Sequence, residues 1–126
     1  MSKHKSISKK KRELVYKKYN GHCAYCGCEI EYKDMQVDHL KSVYLNNDYT
    51  QDMTEEEMYS FENLMPACRQ CNFYKSTFPL ETFRKRLTET IMKNLQKEFN
   101  YKLAIKYGLI KENIKPVKFY FEQFDN

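Results

Sequence analysis

Apolar and polar positions change their period several times along this chain, and each change marks an element. Residues 8–19, SKKKRELVYKKY, set Leu14 and Val15 among cationic positions, with Ser8 placed to cap and Asn20-Gly21 to stop, which predicts a short basic helix. Residues 35–40, MQVDHL, alternate around Val37 and read as a strand. From Leu80 to Phe99 the apolar residues Leu80, Phe83, Leu87, Ile91, Leu95 and Phe99 return every three to four positions. That is the period of one buried helix face, and it predicts a single amphipathic helix. A shorter helix over Tyr101 to Tyr107 is expected to stop at Gly108, and the closing VKFYFEQF has the composition of a strand.

Between these elements, Lys41 to Ser60 is polar, acidic and free of Gly and Pro. Thr54-Glu55-Glu56-Glu57 fits a capping box that opens one or two helical turns inside a long loop. With 126 residues and neither a repeat nor a low-complexity linker, one domain over 1–126 is expected. Its parts are a motif core at 21–77, a basic N-terminal helix at 8–20 and a helical C-terminal extension at 80–126. A hydrophobic share of 41% beside a charged share of 31% is globular rather than disordered. No apolar run reaches the roughly 18 residues of a membrane span, and MSKHKSISKKKR lacks the apolar stretch of a secretory signal, so a cytoplasmic chain with no membrane contact is expected.

That compartment changes how the five cysteines read, because cytosolic thiols stay reduced and closely spaced ones there are more often metal ligands than disulfides. Cys23-Ala24-Tyr25-Cys26 and Cys68-Arg69-Gln70-Cys71 are two CxxC units, and each brings two thiolates to one side of a tight turn. Four thiolates suit one tetrahedral Zn²⁺ with no open position, hence a structural site. Buried thiols or a redox pair are the alternatives, but a redox CxxC belongs in a βαβ pattern that this chain lacks. Cys28, one residue from Cys26, is left free. Zinc would also close the acidic loop and offset its entropy.

Charge is unevenly placed. Residues 1–22 hold eight Lys/Arg against one Glu, residues 23–71 three against ten acids, and residues 72–126 eleven against six. Two basic flanks around an acidic middle suit a polyanion, although solvated helix faces would look the same.

With Asp38-His39 after one CxxC, Glu62-Asn63-Leu64 before the other and Asn72 directly after Cys71, the chain resembles the zinc-containing branch of the HNH endonuclease family. Gly21, Tyr25, Gly27, Val37, Leu64, Pro66 and Lys75 agree in type and order over residues 21 to about 77. The resemblance implies an α+β chain with a small ββα-metal core, a structural four-cysteine zinc site and flanking helices. It implies His39 as general base, Asp38 and Asn72 as ligands of a catalytic divalent cation, and Asn63 as a loop tie that orients the histidine.

The chemistry agrees on its own terms. A neutral imidazole takes a proton from water near its ordinary pKa of about 6.5. Carboxylate and amide oxygens are hard donors suited to Mg²⁺ or Mn²⁺. Neighbouring strand residues point to opposite faces, however, so Asp38 and His39 can serve one phosphate only where the strand ends or bulges. Two features depart from the family: Lys41-Ser42-Val43-Tyr44 carries neither the Pro nor the Gly-rich turn that many relatives have after Asp-His. The acids Asp48, Asp52, Glu55, Glu56 and Glu57 are expected in solvent, with Glu62 an accessory ligand candidate.

Expected phosphate contacts are Lys9, Lys10, Lys11 and Arg12, then Arg69 and Lys75, then Arg84, Lys85 and Arg86. Such contacts give register and affinity without sequence information. The leading expectation is a metal-dependent DNA endonuclease, monomer or homodimer, with RNA left open as substrate. The alternatives are a non-catalytic zinc module that binds nucleic acid and a protein-interaction domain whose Val117 to Phe124 tail docks a partner strand.

Overall fold

The computed structural model describes residues 7–41 and 54–124; the expected acidic-loop positions Asp48 and Asp52, and the side chain of Glu55, lie outside what is described. The described residues group into two compact units. One runs to Leu80 and takes up the chain again from Lys118, and the other is Glu81–Val117. The expected extension at 80–126 is therefore not one piece, because its last residues belong with the first unit.

In the first unit, α1 spans Lys9–Lys17. The Ser8 hydroxyl accepts the Lys11 N–H at 3.1 Å, so the predicted N-cap is formed. The helix stops where Asn20 and Gly21 take positive φ and the Gly21 N–H returns to the Tyr16 carbonyl at 3.0 Å. A Cβ on Gly21 would lie 2.9 Å from the Tyr16 hydroxyl, so this turn requires glycine for space as well as for φ. Val15 faces inward and forms a core with Met35 and Leu64, against which Ile7, Tyr16, Ile30 and Val37 pack.

Two four-residue strands, β1 (Gln36–His39) and β2 (Leu64–Ala67), pair antiparallel with Val37 opposite Pro66, Asp38 opposite Met65 and His39 opposite Leu64. Pro66 has no N–H to give, but its carbonyl accepts the Ala24 N–H at 2.8 Å, so the first cysteine turn docks along β2. Between the strands, α2 (Glu55–Met58) begins with the predicted capping box: the Thr54 N–H donates to Glu57 Oε1 at 2.8 Å and the Glu57 N–H to Thr54 Oγ1 at 3.1 Å. After β2 a single residue, Cys68, leads into α3 (Arg69–Lys75) and caps it by accepting the Cys71 N–H on its sulfur.

The second unit departs from the predicted long helix. α4 (Leu80–Lys85) passes through one π turn, Arg86–Thr90, into α5 (Ile91–Gln96), and Glu98 is extended before α6 (Phe99–Lys106). Thr88 Oγ1 donates to the Lys85 carbonyl at 3.2 Å, a side-chain bond that competes with the helical ladder at the π turn. Arg84 is held by Glu81 at 2.8 and 2.9 Å and donates to the Val117 carbonyl at 2.7 Å.

The closing segment is not the predicted strand. Residues Tyr120–Phe124 form a 3₁₀ turn, because the Tyr120 and Phe121 N–H groups donate to the carbonyls of Tyr25 and Ala24 at 3.0 and 2.8 Å. These donors are used up on the first cysteine turn, which leaves no ladder for a partner strand. Among the described residues no helix is long and apolar enough to cross a membrane.

Candidate active site and zinc centre

The two CxxC turns bring Cys23, Cys26, Cys68 and Cys71 together with all four sulfurs within 4.8 Å of one another. The Cys26 and Cys68 sulfurs are 3.8 Å apart. A disulfide would need about 2.05 Å, whereas sulfurs at about 2.3 Å from a tetrahedral Zn²⁺ stand roughly 3.8 Å apart. The spacing is that of a metal cage. Backbone N–H groups already point at these sulfurs, Tyr25 to Cys23 and Cys71 to Cys68, each at 3.4 Å.

Electrostatics favours the same reading. A hydrogen bond from the Cys71 thiol holds Cys23 down at about 4, while Cys71 is pushed up by that same bond, by burial and by the charge of its neighbours. Burial raises Cys26. Thiolates crowded this closely are stable together only around a cation, and Zn²⁺ fits the donor set. Cys28 stays outside the four-sulfur group and exposed, with burial pushing its thiol up to about 12.

On the other side of the first turn, Tyr25 is buried and its hydroxyl donates to Asp38 Oδ2 at 2.5 Å. Lys75, wholly buried on α3, reaches the same oxygen at 3.0 Å and the His39 carbonyl at 3.0 Å. One helix residue thus fixes both the side chain of Asp38 and the backbone of His39. Burial lifts the Asp38 carboxyl above its ordinary value against the opposing pull of Lys75. Tyr25 is raised by burial and by the Asp38 charge, so it remains a neutral donor.

β1 ends at His39 after regular pairing through both residues, so Asp38 and His39 leave the strand on opposite sides. Asp38 turns to Tyr25 and Lys75; the His39 ring packs edge-on against Tyr59 at 5.2 Å. Asn72 is half-buried on α3, one turn before Lys75 and on the same side of the helix. Asn63 is buried and ties the chain after β1: its amide donates to the carbonyls of Lys41 at 3.0 Å and Met58 at 2.8 Å and accepts the Lys41 N–H at 2.9 Å. Beside this tie lies an open cleft of about 630 Å³ lined by Lys41, Glu56, Glu57, Glu62 and Asn63, among others. Glu62 is exposed there, whereas Asp38 is buried.

Not every expected phosphate contact faces water. Lys75 is a correction, since its charge is consumed by Asp38 and the His39 carbonyl. Arg12 donates to the carbonyls of Tyr32 and Met35, Lys11 to that of Tyr59, and Arg84 to Glu81 and Val117; these groups brace the chain. Arg86 is half-buried, whereas Lys9, Lys10, Arg69 and Lys85 are exposed. The residue types alone missed Lys18, whose ammonium gathers the Phe61 and Leu64 carbonyls at 2.9 Å each, and whose pKa burial lowers. They also missed Phe119 and Phe121, which flank Tyr25 with centroids 5.5 and 6.1 Å away.

Residues 23–78 match the family described as HNH endonuclease, and the two strands, α3 and the four-cysteine cluster are the ββα fold of that family. Among solved structures, the chain is similar to the Type II-C Cas9 enzyme from Actinomyces naeslundii, at 24% identity and a TM-score of 0.49 over 68% of this chain. The chain spans 9% of that enzyme's length. No curated protein matches the chain.

Proposed function

We propose that the first unit is a metal-dependent endonuclease that hydrolyses phosphodiester bonds in DNA, with His39 as general base and Asp38 and Asn72 as ligands of a divalent cation. The observation that carries this reading is the seam between α3 and the end of β1, where Lys75 joins the two elements through Asp38 and His39 and Asn72 lies one turn away. Two oxygen donors that differ in charge suit Mg²⁺ or Mn²⁺, and Tyr25 and Lys75 meet on a single Asp38 oxygen, Oδ2, with the His39 N–H as a further donor to the carboxylate. When bound, such a cation supplies Lewis-acid stabilisation of the charge that develops on the phosphate and the leaving oxygen.

Regular pairing through Asp38 and His39 counts against the two serving one phosphate from within the strand, and the reading relies on β1 ending at His39. In-line displacement puts the attacking water and the leaving oxygen on opposite sides of phosphorus. His39 takes the proton from water on one side, and Asp38 and Asn72 serve the other. Asn63 holds the chain after β1 so that the imidazole keeps its place, and the zinc site anchors both turns. Lys9, Lys10 and Arg69 of this unit contact phosphates, and a reducing cytoplasm suits the four thiolates.

A plasmid assay tests this. With Mg²⁺ or Mn²⁺ the wild type nicks supercoiled DNA, and His39→Ala or EDTA stops it. No nicking across a range of metals, or equal nicking by His39→Ala, would sink the catalytic reading. The engagement of Asp38 by Tyr25 and Lys75 favours a second reading, a non-catalytic zinc module; DNA binding without cleavage in the same assay supports it.

A further inference from the structure

The residues after Lys118 fall outside the family match at 23–78, yet they close around the residue that touches Asp38. The Phe119 and Phe121 rings stack on each other 6.3 Å apart, and both stand edge-on to Tyr25, at interplanar angles of 80° and 87°. Backbone bonds lock this arrangement: the Tyr120 N–H to the Tyr25 carbonyl, the Phe121 N–H to the Ala24 carbonyl, and the Phe119 N–H to Glu122 Oε1 at 2.7 Å. Tyr120 lies over Gly27, where a Cβ would come within 2.7 Å of its ring, and stacks on His22 at 5.3 Å. The tail and the cysteine turn are thus shaped to each other.

A tyrosine ring held from two sides has one place for its hydroxyl. Lys75 can follow a carboxylate that pivots, because its ammonium sits on a four-carbon stem, and the His39 N–H that also bonds the carboxylate comes from the same strand and not from a neighbouring element. Adding a donor on a fixed ring to the same oxygen determines where the second oxygen points.

We propose that Phe119–Phe121 is a working part of the catalytic centre: it fixes the Tyr25 ring, whose hydroxyl sets the orientation in which Asp38 presents its other carboxylate oxygen to a divalent cation. Tyr25, Phe119 and Phe121 are positioning residues, and the proposal rests on the reading of Asp38 as a cation ligand.

The test is Mn²⁺ binding to the zinc-loaded full chain, followed by the electron paramagnetic resonance signal of free Mn²⁺, with zinc content and circular dichroism measured alongside. Partners that orient a metal ligand typically contribute about 10-fold to 100-fold in affinity. Tyr25→Phe keeps the ring and is expected to weaken Mn²⁺ binding about 10-fold or more, with nicking recovered toward wild type at saturating Mn²⁺. Phe119→Leu weakens it less, and adds nothing in the Tyr25→Phe background because both act through one hydroxyl. Wild-type affinity in Tyr25→Phe, a Phe119→Leu effect that adds in full, or loss of zinc and fold in Tyr25→Phe would each overturn the proposal while leaving the nuclease reading intact. Failure of the wild type itself to bind Mn²⁺ removes the reading of Asp38, and this proposal with it.

Discussion

Lys75 Nζ lies 3.0 Å from Asp38 Oδ2 with the lysine side chain wholly out of solvent. Deep burial of an ammonium is tolerated only with partners, and Lys75 has the carboxylate and the His39 carbonyl. The pair joins α3 to β1 at the point where the proposed chemistry occurs.

Lys75→Met is therefore expected to strand the Asp38 carboxylate. Breaking a buried pair from one side costs about 3–5 kcal/mol at neutral pH. Lys75 is the main influence that lowers Asp38, so its loss lifts the carboxyl further above its ordinary value. A raised folded-state pKa favours the protonated form, so the deficit relative to wild type is greatest at pH above that pKa and shrinks as pH falls through it. Urea melts of both proteins at pH 7 and pH 5 check this; equal stability at pH 7 contradicts it.

The zinc centre separates the five cysteines by role. Elemental analysis is expected to find one zinc per chain in the wild type and in Cys28→Ser, whose sulfur lies outside the four-sulfur group. Cys68→Ser is expected to lose zinc and unfold or aggregate, because structural zinc supplies folding free energy directly and Cys68 also caps α3. A soluble, stable Cys68→Ser, or zinc loss in Cys28→Ser, would contradict the assignment.

Glu57 gives a local pH response. Its carboxylate accepts the Thr54 N–H, and this bond, with the Thr54 hydroxyl contact, lowers its pKa below the ordinary value. A depressed acid pKa contributes stability that is present above the unfolded value and lost as pH falls through the folded one. Amide exchange at Thr54 is expected to be slow at pH 6 and to lose its protection below the ordinary glutamate range, and Glu57→Gln is expected to flatten that dependence. Exchange that does not vary beyond the intrinsic pH trend would rule the cap out in solution.

Local signals in the sequence were the legible ones. Ser8, the Thr54/Glu57 box and the Asn20-Gly21 stop act within a few residues of themselves, and the CxxC spacing fixes sulfur geometry within each turn. Lys75 was misread for the opposite reason: beside a metal motif a lysine suggests phosphate, and its burial is set by Asp38, 37 positions earlier in the chain. The aromatic tail had strand composition, but its backbone N–H groups are taken by the carbonyls of Ala24 and Tyr25, which lie nearly a hundred positions earlier in the chain. In the second unit the apolar period continued through a π turn and a break at Glu98, neither marked by Gly or Pro. Periodicity records a shared face and does not register a side-chain bond such as that of Thr88.

Asn63 offers the sharpest test of the site's frame, because the chain uses both ends of its amide. The nitrogen donates to the Lys41 and Met58 carbonyls and the oxygen accepts the Lys41 N–H, all from a buried position. Asn63→Ala leaves these groups without their partner, at about 1–3 kcal/mol for each that stays dry. Asn63→Asp is nearly isosteric yet fares worse at pH 7, since a buried carboxylate would face two carbonyls it cannot donate to. Those carbonyls and the burial raise its pKa, so its stability is greatest at low pH and is lost as pH rises. Melting temperatures in the order wild type, Ala, Asp at pH 7, with the Asp variant recovering at pH 5, are expected. An Asp variant as stable as wild type at pH 7 would contradict the two bonds from the amide nitrogen to the Lys41 and Met58 carbonyls, and with them the tie that holds the chain after His39.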